Sequence, residues 1–412
     1  MGNRVEVITF GCRLNSYESD VLRGIVEEAA RMNVFARDGV VIFNSCAVTA
    51  EAERQLRQSI RKIRREKGKN VTIGVVGCAA QINRSSYRNM PEVDFVLGNA
   101  DKFKIESYLH YKNQPTTDPN TADSCRFLPL YPVDKFTGMS RASVKIQDGC
   151  NNECTFCATR FARGRSISSL PTDIVEQVKK LVDLGFGEIV LTGVNICDYG
   201  KGLDVKVNLG DLVGLIVRET SLERLRLSSL DIAAIGPTLM EQIKYERRLM
   251  PHLHLSLQSG DDVILRKMGR RHSEEDVFNI CRDILSARPE VVFGADFIAG
   301  FPTETDEMHN NSLRMLWEIP ITYGHIFPYN PRPGTRAASM VQIPKNIKTA
   351  RAKQLREAAA ANLLKLRNVF SGTRQMVFVE TANSGRLENY LKVSLDGNYG
   401  EELGKIVMAT VL

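Results

Sequence analysis

Short apolar runs alternate with amphipathic segments over the first hundred residues. Val5–Phe10, Val40–Phe43, Val71–Val76 and Val93–Leu97 read as strands, and Ser16–Ala30 and Ala50–Arg65 carry apolar positions at helical spacing. Continuously apolar strands separated by helices predict a parallel sheet covered on both faces. Residues 113–140, opening on an Asn-, Pro-, Thr- and Asp-rich stretch from Asn113 to Ser124, read as a linker. A second strand–helix series follows, with candidate strands Ala142–Gln147, Glu188–Thr192, Arg224–Ser229, His252–Gln258, Val291–Ile298 and Thr322–Phe327. Thr172–Leu184 and Ser273–Ala287 are among the helical patterns between them. Six such units predict a partial (β/α)6 barrel within residues 141–370, its site at the carboxyl ends of the strands. A long basic helix, Thr349–Asn368, closes that series. In residues 371–412, Met376–Glu380, Tyr390–Ser394 and Lys405–Thr410 are strand-like and separated by Gly-containing turns, which predicts a small β appendage. The expected class is α/β: an N-terminal sheet domain (1–112), the linker, the barrel and the appendage.

Composition narrows the function classes. With 412 residues, 43% hydrophobic and 25% charged, the chain is that of an ordinary globular protein of two to four domains. No apolar run approaches the ~18 residues needed to cross a bilayer, and the first residues lack a signal peptide's apolar core. The expectation is a cytoplasmic protein with no membrane partner. The net charge of +7 is concentrated. Glu53–Lys69 holds eight Lys/Arg against two Glu, and Lys345–Arg374 holds eight against one, while the rest of the chain is net acidic. Two basic stretches of this kind predict a polyanionic partner.

Nine cysteines in a reducing compartment point to metal binding or catalysis rather than disulfides. Cys150-Asn-Asn-Glu-Cys154-Thr-Phe-Cys157 directly follows the first barrel strand. Three thiolates so spaced can hold three irons of a [4Fe–4S] cube and leave the fourth open to the amino and carboxylate groups of S-adenosylmethionine. Zinc is the competing ligand, but a structural zinc site wants four protein ligands, and no second Cys pair of that kind is present. Cys12, Cys46 and Cys78 each stand just beyond a predicted parallel strand, 34 and 32 residues apart, one βα unit each. Carboxyl ends of adjacent parallel strands gather on one edge, so these three are expected to converge and to bind a second cluster. The alternative is three unrelated core cysteines. Cys281, in an amphipathic helix, reads as core; Cys125 falls in the linker and Cys197 after a barrel strand, both with bland roles.

Two cysteine triples, one on an α/β domain and one on a barrel, with a small β tail, resemble the radical S-adenosylmethionine methylthiotransferases over essentially the whole chain. Thr9-Phe10-Gly11-Cys12-Arg13-Leu14-Asn15 and Asn44-Ser45-Cys46-Ala47-Val48-Thr49 are similar to the branch acting on N6-threonylcarbamoyladenosine in tRNA. Other branches modify isopentenyladenosine in tRNA or an aspartate of a ribosomal protein. Leu227-Ser228-Ser229, Leu257-Gln258-Ser259-Gly260, Ala299–Thr305 and Phe327–Thr335 continue the resemblance. Cys157-Ala158-Thr159-Arg160 and Leu230-Asp231-Ile232 depart from the family pattern.

The resemblance implies two [4Fe–4S] clusters and S-adenosylmethionine. Cys150, Cys154 and Cys157 would serve catalysis, and Cys12, Cys46 and Cys78 would hold or supply sulfur. It also implies tRNA as partner, an electron donor of flavodoxin or ferredoxin type, a sulfur donor, and a TRAM-like tail. A deoxyadenosyl radical would abstract hydrogen from C2 of the adenine. Cofactor contacts are expected from Gly187 and Glu188, ahead of the second barrel strand, and from Ser229, Gln258 and Asp296. His252, His254, Ser256 and Gln258 alternate with leucines, which predicts one polar face toward the lumen. Arg54, Arg57, Arg61 and Arg64/Arg65 form a helical stripe after Cys46, and Arg160, Arg163 and Arg165 follow the barrel cysteines. Arg54, Arg57, Arg61, Arg163 and Arg165 are expected to meet RNA phosphate. The rival outside enzymology is an RNA-binding protein, or an electron carrier, with structural clusters.

Overall fold

The computed structural model describes residues 5–36, 38–47, 49–111, 128–131 and 141–412. Among these, one compact unit comprises the residues up to 131 with 148–152 and 157–167. The second comprises 141–147, 153–156 and 168–412.

The first unit runs β1 (Val5–Thr9), α1 (Arg13–Arg31), β2 (Val40–Ser45), α2 (Ala50–Lys67), β3 (Thr72–Gly77), α3 (Cys78–Ile82), α4 (Arg84–Arg88), β4 (Phe95–Leu97) and α5 (Ile105–Leu109). The four strands form one parallel sheet in chain order, with Thr9 beside Asn44 and Ser45 beside Gly77. Every β2 residue is buried because successive side chains point to opposite faces and both faces are covered. Val41 and Phe43 pack with Leu56 and Ile60 of α2; Val40 and Ile42 pack with Leu22 and Val26 of α1. Helix α2 starts where Thr49 accepts the Ala52 N–H at 3.1 Å and ends at Gly68, whose φ of 65° suits glycine.

Next come β5 (Ala142–Lys145), β6 (Gln147–Asp148), α6 (Thr159–Arg163) and β7 (Ile167–Ser168). The remainder of the second unit alternates α7 (Pro171–Asp183), β8 (Glu188–Thr192), α8 (Leu209–Glu219), β9 (Arg224–Leu227), α9 (Pro237–Tyr245), β10 (His252–Gln258), α10 (Asp262–Met268), α11 (Glu274–Ala287), β11 (Val292–Ala299), α12 (Asp306–Glu318), β12 (Ile321–Pro328) and α13 (Lys345–Phe370). Strands β5-β8-β9 and β10-β11-β12 are two parallel sheets. Parallel bridges Leu225–Leu249 and Leu230–Leu255 join them, so six strands stand in the chain order a partial barrel requires.

The last strands, β13 (Arg374–Thr381), β14 (Ser384–Arg386), β15 (Lys392–Ser394) and β16 (Ile406–Thr410), make an antiparallel sheet. Its apolar face covers Leu363, Leu366 and Phe370 at the end of α13. The sheet also meets the amino end of β9. Arg226 of β9 donates to the carbonyls of Leu387 (3.1 Å) and Glu388 (2.8 Å), and Arg224 to that of Met376 (3.0 Å). The Tyr390 ring stacks on His252 at 4.7 Å, with the guanidiniums of Arg386, Arg226 and Arg141 4.1, 5.1 and 5.5 Å from its centroid.

A chain ending after Phe370 would therefore leave Arg224 and Arg226 without their carbonyl partners. It is expected to lose its cooperative unfolding transition or to unfold at markedly lower denaturant, followed by near-UV circular dichroism. A truncated chain that unfolds like the full one would make the terminal sheet a separable appendage.

Candidate active site

The first cysteine triple is built by small and polar residues at the strand ends. Gly11 has φ 109°, and a Cβ there would lie 2.6 Å from the Cys46 Cβ and 2.8 Å from its Sγ. Only glycine lets the turn carrying Cys12 pass so close to Cys46. Asn15 ties both turns together, donating from Nδ2 to the carbonyls of Phe10 (2.7 Å) and Ser45 (3.1 Å). Ser45 extends the stitching to the third strand through the Val76 carbonyl (2.5 Å) and the Ala80 N–H (3.1 Å). Gly77, φ 93°, passes the Asn44 side chain where a Cβ would be 2.6 Å from Oδ1. Cys12, Cys46 and Cys78 thus follow three neighbouring strands outside any disulfide, Cys12 exposed and the others buried. Three cysteines outside any disulfide on one sheet edge fit a thiolate-bound cluster.

The second triple lies in the irregular stretch after β6. All three cysteines are half-buried and outside any disulfide. In the first unit, the Asn152 N–H points at the Cys150 Sγ and the Thr159 N–H at the Cys157 Sγ, each at 3.4 Å. In the second unit, Arg270 donates to the Cys154 Sγ at 3.7 Å and is held by Asp231 (2.9 Å) and the Ser256 carbonyl (2.8 Å). Donors aimed at the sulfurs suit thiolates that carry charge, as cluster ligands do. Arg270 and Asp231 lie outside the expected site residues, because their relation to Cys154 depends on tertiary folding.

At the carboxyl end of β8, the Gln147 Oε1 accepts the N–H groups of Val194 (3.0 Å) and Asn195 (2.8 Å) and fixes the turn after Thr192. Ser229 follows β9 at this same end, and Gln258 ends β10 with φ 71°. Asp296 on β11 lies 3.0 Å from the His254 Nε2 and 3.4 Å from the His325 Nδ1. Burial raises its pKa, but the two imidazoles outweigh that and hold the carboxyl well below the usual range.

Three expectations are corrected. Gly187 and Glu188 stand at the amino end of β8, opposite the end where a barrel site forms. Glu188 is fully buried and paired with Arg226 (2.9 Å) and Arg141 (3.2 Å), so its carboxylate serves the closed floor, not the cofactor. Arg163 is the third: its side chain is 3% exposed and locked among buried groups, which removes it from any phosphate surface.

The other arginines keep to their surfaces. Arg54 is bidentate to Glu51 (2.8 and 2.6 Å), Arg57 binds Ser86 (2.8 Å) and the Tyr87 face, and Arg61 is 3.9 Å from Glu92. Arg64 is committed to the Glu92 carbonyl and Asp94. Arg61, Lys62 and Arg65 line a groove of about 540 Å³ with Phe10 and Gln58, and Arg165 is exposed. Burial pushes the thiols of Cys197 and Cys281 up to about 12, unlike ligand thiolates. Cys125 lies outside the described residues.

A parallel strand array with a C-x3-C-x2-C loop after its first strand defines a radical S-adenosylmethionine protein. Residues 144–316 match the Radical SAM superfamily, and residues 4–98 match the Uncharacterized protein family UPF0004. The chain is 43% identical over 394 residues to the threonylcarbamoyladenosine tRNA methylthiotransferase MtaB of Rickettsia prowazekii (strain Madrid E), covering 95% of this chain and 91% of that protein. It is 35% identical to the MtaB of Thermotoga maritima, covering 96% and 92%. This chain belongs to the MtaB family of radical S-adenosylmethionine methylthiotransferases. The radical S-adenosylmethionine methyltransferase TsrM from Kitasatospora setae, solved with cobalamin and a [4Fe–4S] cluster, shares the fold at 13% identity (TM-score 0.57, 82% of this chain and 77% of that one).

Glu188→Gln is expected to cost about 3–5 kcal/mol, because it strands buried guanidinium charge. The denaturant midpoint should fall while S-adenosylmethionine affinity of the folded protein stays unchanged. Weaker binding at unchanged stability would return Glu188 to the cofactor.

Proposed function

We propose that this protein transfers a methylthio group to C2 of N6-threonylcarbamoyladenosine next to the anticodon of tRNA, in the cytoplasm. Cys150, Cys154 and Cys157 would hold the [4Fe–4S] cluster that engages S-adenosylmethionine, and Cys12, Cys46 and Cys78 the second cluster. The observation that carries the reading is the pairing of two cysteine triples, none in a disulfide, that follow parallel strands, with 43% identity to an MtaB over 95% of the chain. When bound, the clusters and S-adenosylmethionine supply the electron, hydrogen abstraction, sulfur and methyl group. The chain's own residues bind and orient. Gln147 holds the Val194–Asn195 turn, Arg270 aims an N–H at Cys154, and Gly11, Asn15 and Ser45 set the first triple. A low-potential electron donor of flavodoxin or ferredoxin type and a separate sulfur donor complete the reaction.

For RNA, the groove along α2 and the basic helix α13 are the favoured contacts. No described helix is long and apolar enough to cross a membrane.

Anaerobically reconstituted protein should carry about eight irons, two cubes of four. Cys150, Cys154 and Cys157 changed together to Ala should leave about four and abolish S-adenosylmethionine cleavage; retained cleavage would refute the division of labour. The converse Ala triple at Cys12, Cys46 and Cys78 should still release deoxyadenosine but yield no methylthiolated nucleoside. Normal product from that variant would show that the first triple holds no required cluster.

Arg61, Lys62 and Arg65 changed together to Ala should weaken tRNA binding at low salt. Each lost phosphate contact lowers the salt slope by roughly 0.7–0.9. Arg54→Ala should matter less, since that guanidinium is already paired with Glu51. Superimposable salt dependences for wild type and triple variant would make the α2 face a solvated surface only.

A further inference from the structure

All three nitrogens of the Arg163 guanidinium are spent inside the first unit. Nε donates to the Cys78 Sγ at 3.2 Å. Nη1 reaches Glu18 (2.8 Å) and Asp148 (3.1 Å), and Nη2 reaches Asn15 (2.9 Å) and the second Glu18 oxygen (2.9 Å). Glu18 is shared with Lys102 at 2.6 Å, both side chains fully buried. Lys102 also binds the Asn99 Oδ1 (2.8 Å), and the Asn99 amide donates to the Ala162 carbonyl (2.8 Å) and to the Cys78 Sγ (3.7 Å). Two cations and two carboxylates therefore form one network with a directed N–H on one cysteine sulfur. Stability is a weak reason to keep such a network, because apolar groups of similar volume often serve as well. Arg163 also sits on α6, which begins two residues after Cys157, so the segment following the second triple supplies the donor to the first.

We propose that Arg163 is a positioning residue that holds the Cys78 thiolate and raises the reduction potential of the cluster bound by Cys12, Cys46 and Cys78. The proposal rests on the reading of those cysteines as ligands. One electron added at that site by a low-potential one-electron donor puts further negative charge on the ligand sulfurs. A fixed guanidinium N–H on one of them stabilises the reduced form, and no proton moves. Removing Arg163 takes away that donor and removes a buried positive charge beside the site. Both changes act in the same direction, toward a lower potential.

The test uses the full chain with Cys150, Cys154 and Cys157 changed to Ala, so that only the first cluster remains, reconstituted anaerobically. Iron is counted, then the protein is titrated potentiometrically with dithionite and mediators while the reduced cluster is followed by electron paramagnetic resonance. Arg163→Gln should keep about four irons and lower the reduced-to-oxidised ratio at a fixed potential about tenfold, or about 59 mV for one electron. Arg163→Lys keeps the charge but not the fork, and should recover part of that loss. An unchanged potential in iron-loaded Arg163→Gln overturns the proposal. Where Arg163→Gln fails to load iron, the Arg163→Lys titration decides in the same sense: a lowered potential supports the proposal and an unchanged one overturns it. A parent that binds no iron removes the ligand reading itself, and the proposal with it.

Discussion

The passage of Gly11 against Cys46 is the contact on which the first site depends. A parallel sheet in chain order brings the ends of β1, β2 and β3 to one edge, but neighbouring turns must also come close enough to share a bound group. A side chain at Gly11 would collide with the Cys46 Cβ, and one at Gly77 would collide with Asn44. The chain uses glycine at both places and lets Asn15, Asn44 and Ser45 hydrogen-bond the turns together. Three cysteines more than thirty residues apart in sequence thus follow neighbouring strands of one sheet, with no disulfide among them.

The second unit separates its two ends by chemistry. At the amino ends, Glu188, Arg141, Arg226 and Tyr390 close the array with paired charge and a stacked ring. At the carboxyl ends stand Gln147, Ser229 and Gln258, with Asp296 midway along β11. The terminal sheet thus packs against the amino ends of β9 and β10.

Much of this was legible in the chain. Continuous apolar strands gave the covered sheet, and the βα period of 34 and 32 residues gave the shared edge of Cys12, Cys46 and Cys78. Glu188 stands at the start of its strand, so chain direction already sets it at the amino end of a parallel array, a signal that the Gly-Glu dipeptide masks. A basic residue after a cysteine loop, such as Arg163, looks like a phosphate contact until tertiary folding sets Glu18 and Asp148 around it. The Arg57 pairing with Ser86 likewise needs a partner that no local pattern announces, whereas Glu51 stands at helical spacing from Arg54. Strand β14, three residues long and centred on Gly385, is too short and too small to signal itself.

The central claim is the reaction, and the nucleosides of tRNA report it directly. Digested tRNA from a strain lacking this protein is compared by mass spectrometry with tRNA from the same strain carrying it. The account predicts that 2-methylthio-N6-threonylcarbamoyladenosine disappears, that N6-threonylcarbamoyladenosine accumulates in its place, and that methylthiolated isopentenyladenosine is untouched. Unchanged 2-methylthio-N6-threonylcarbamoyladenosine, or loss of the isopentenyl product instead, would contradict it.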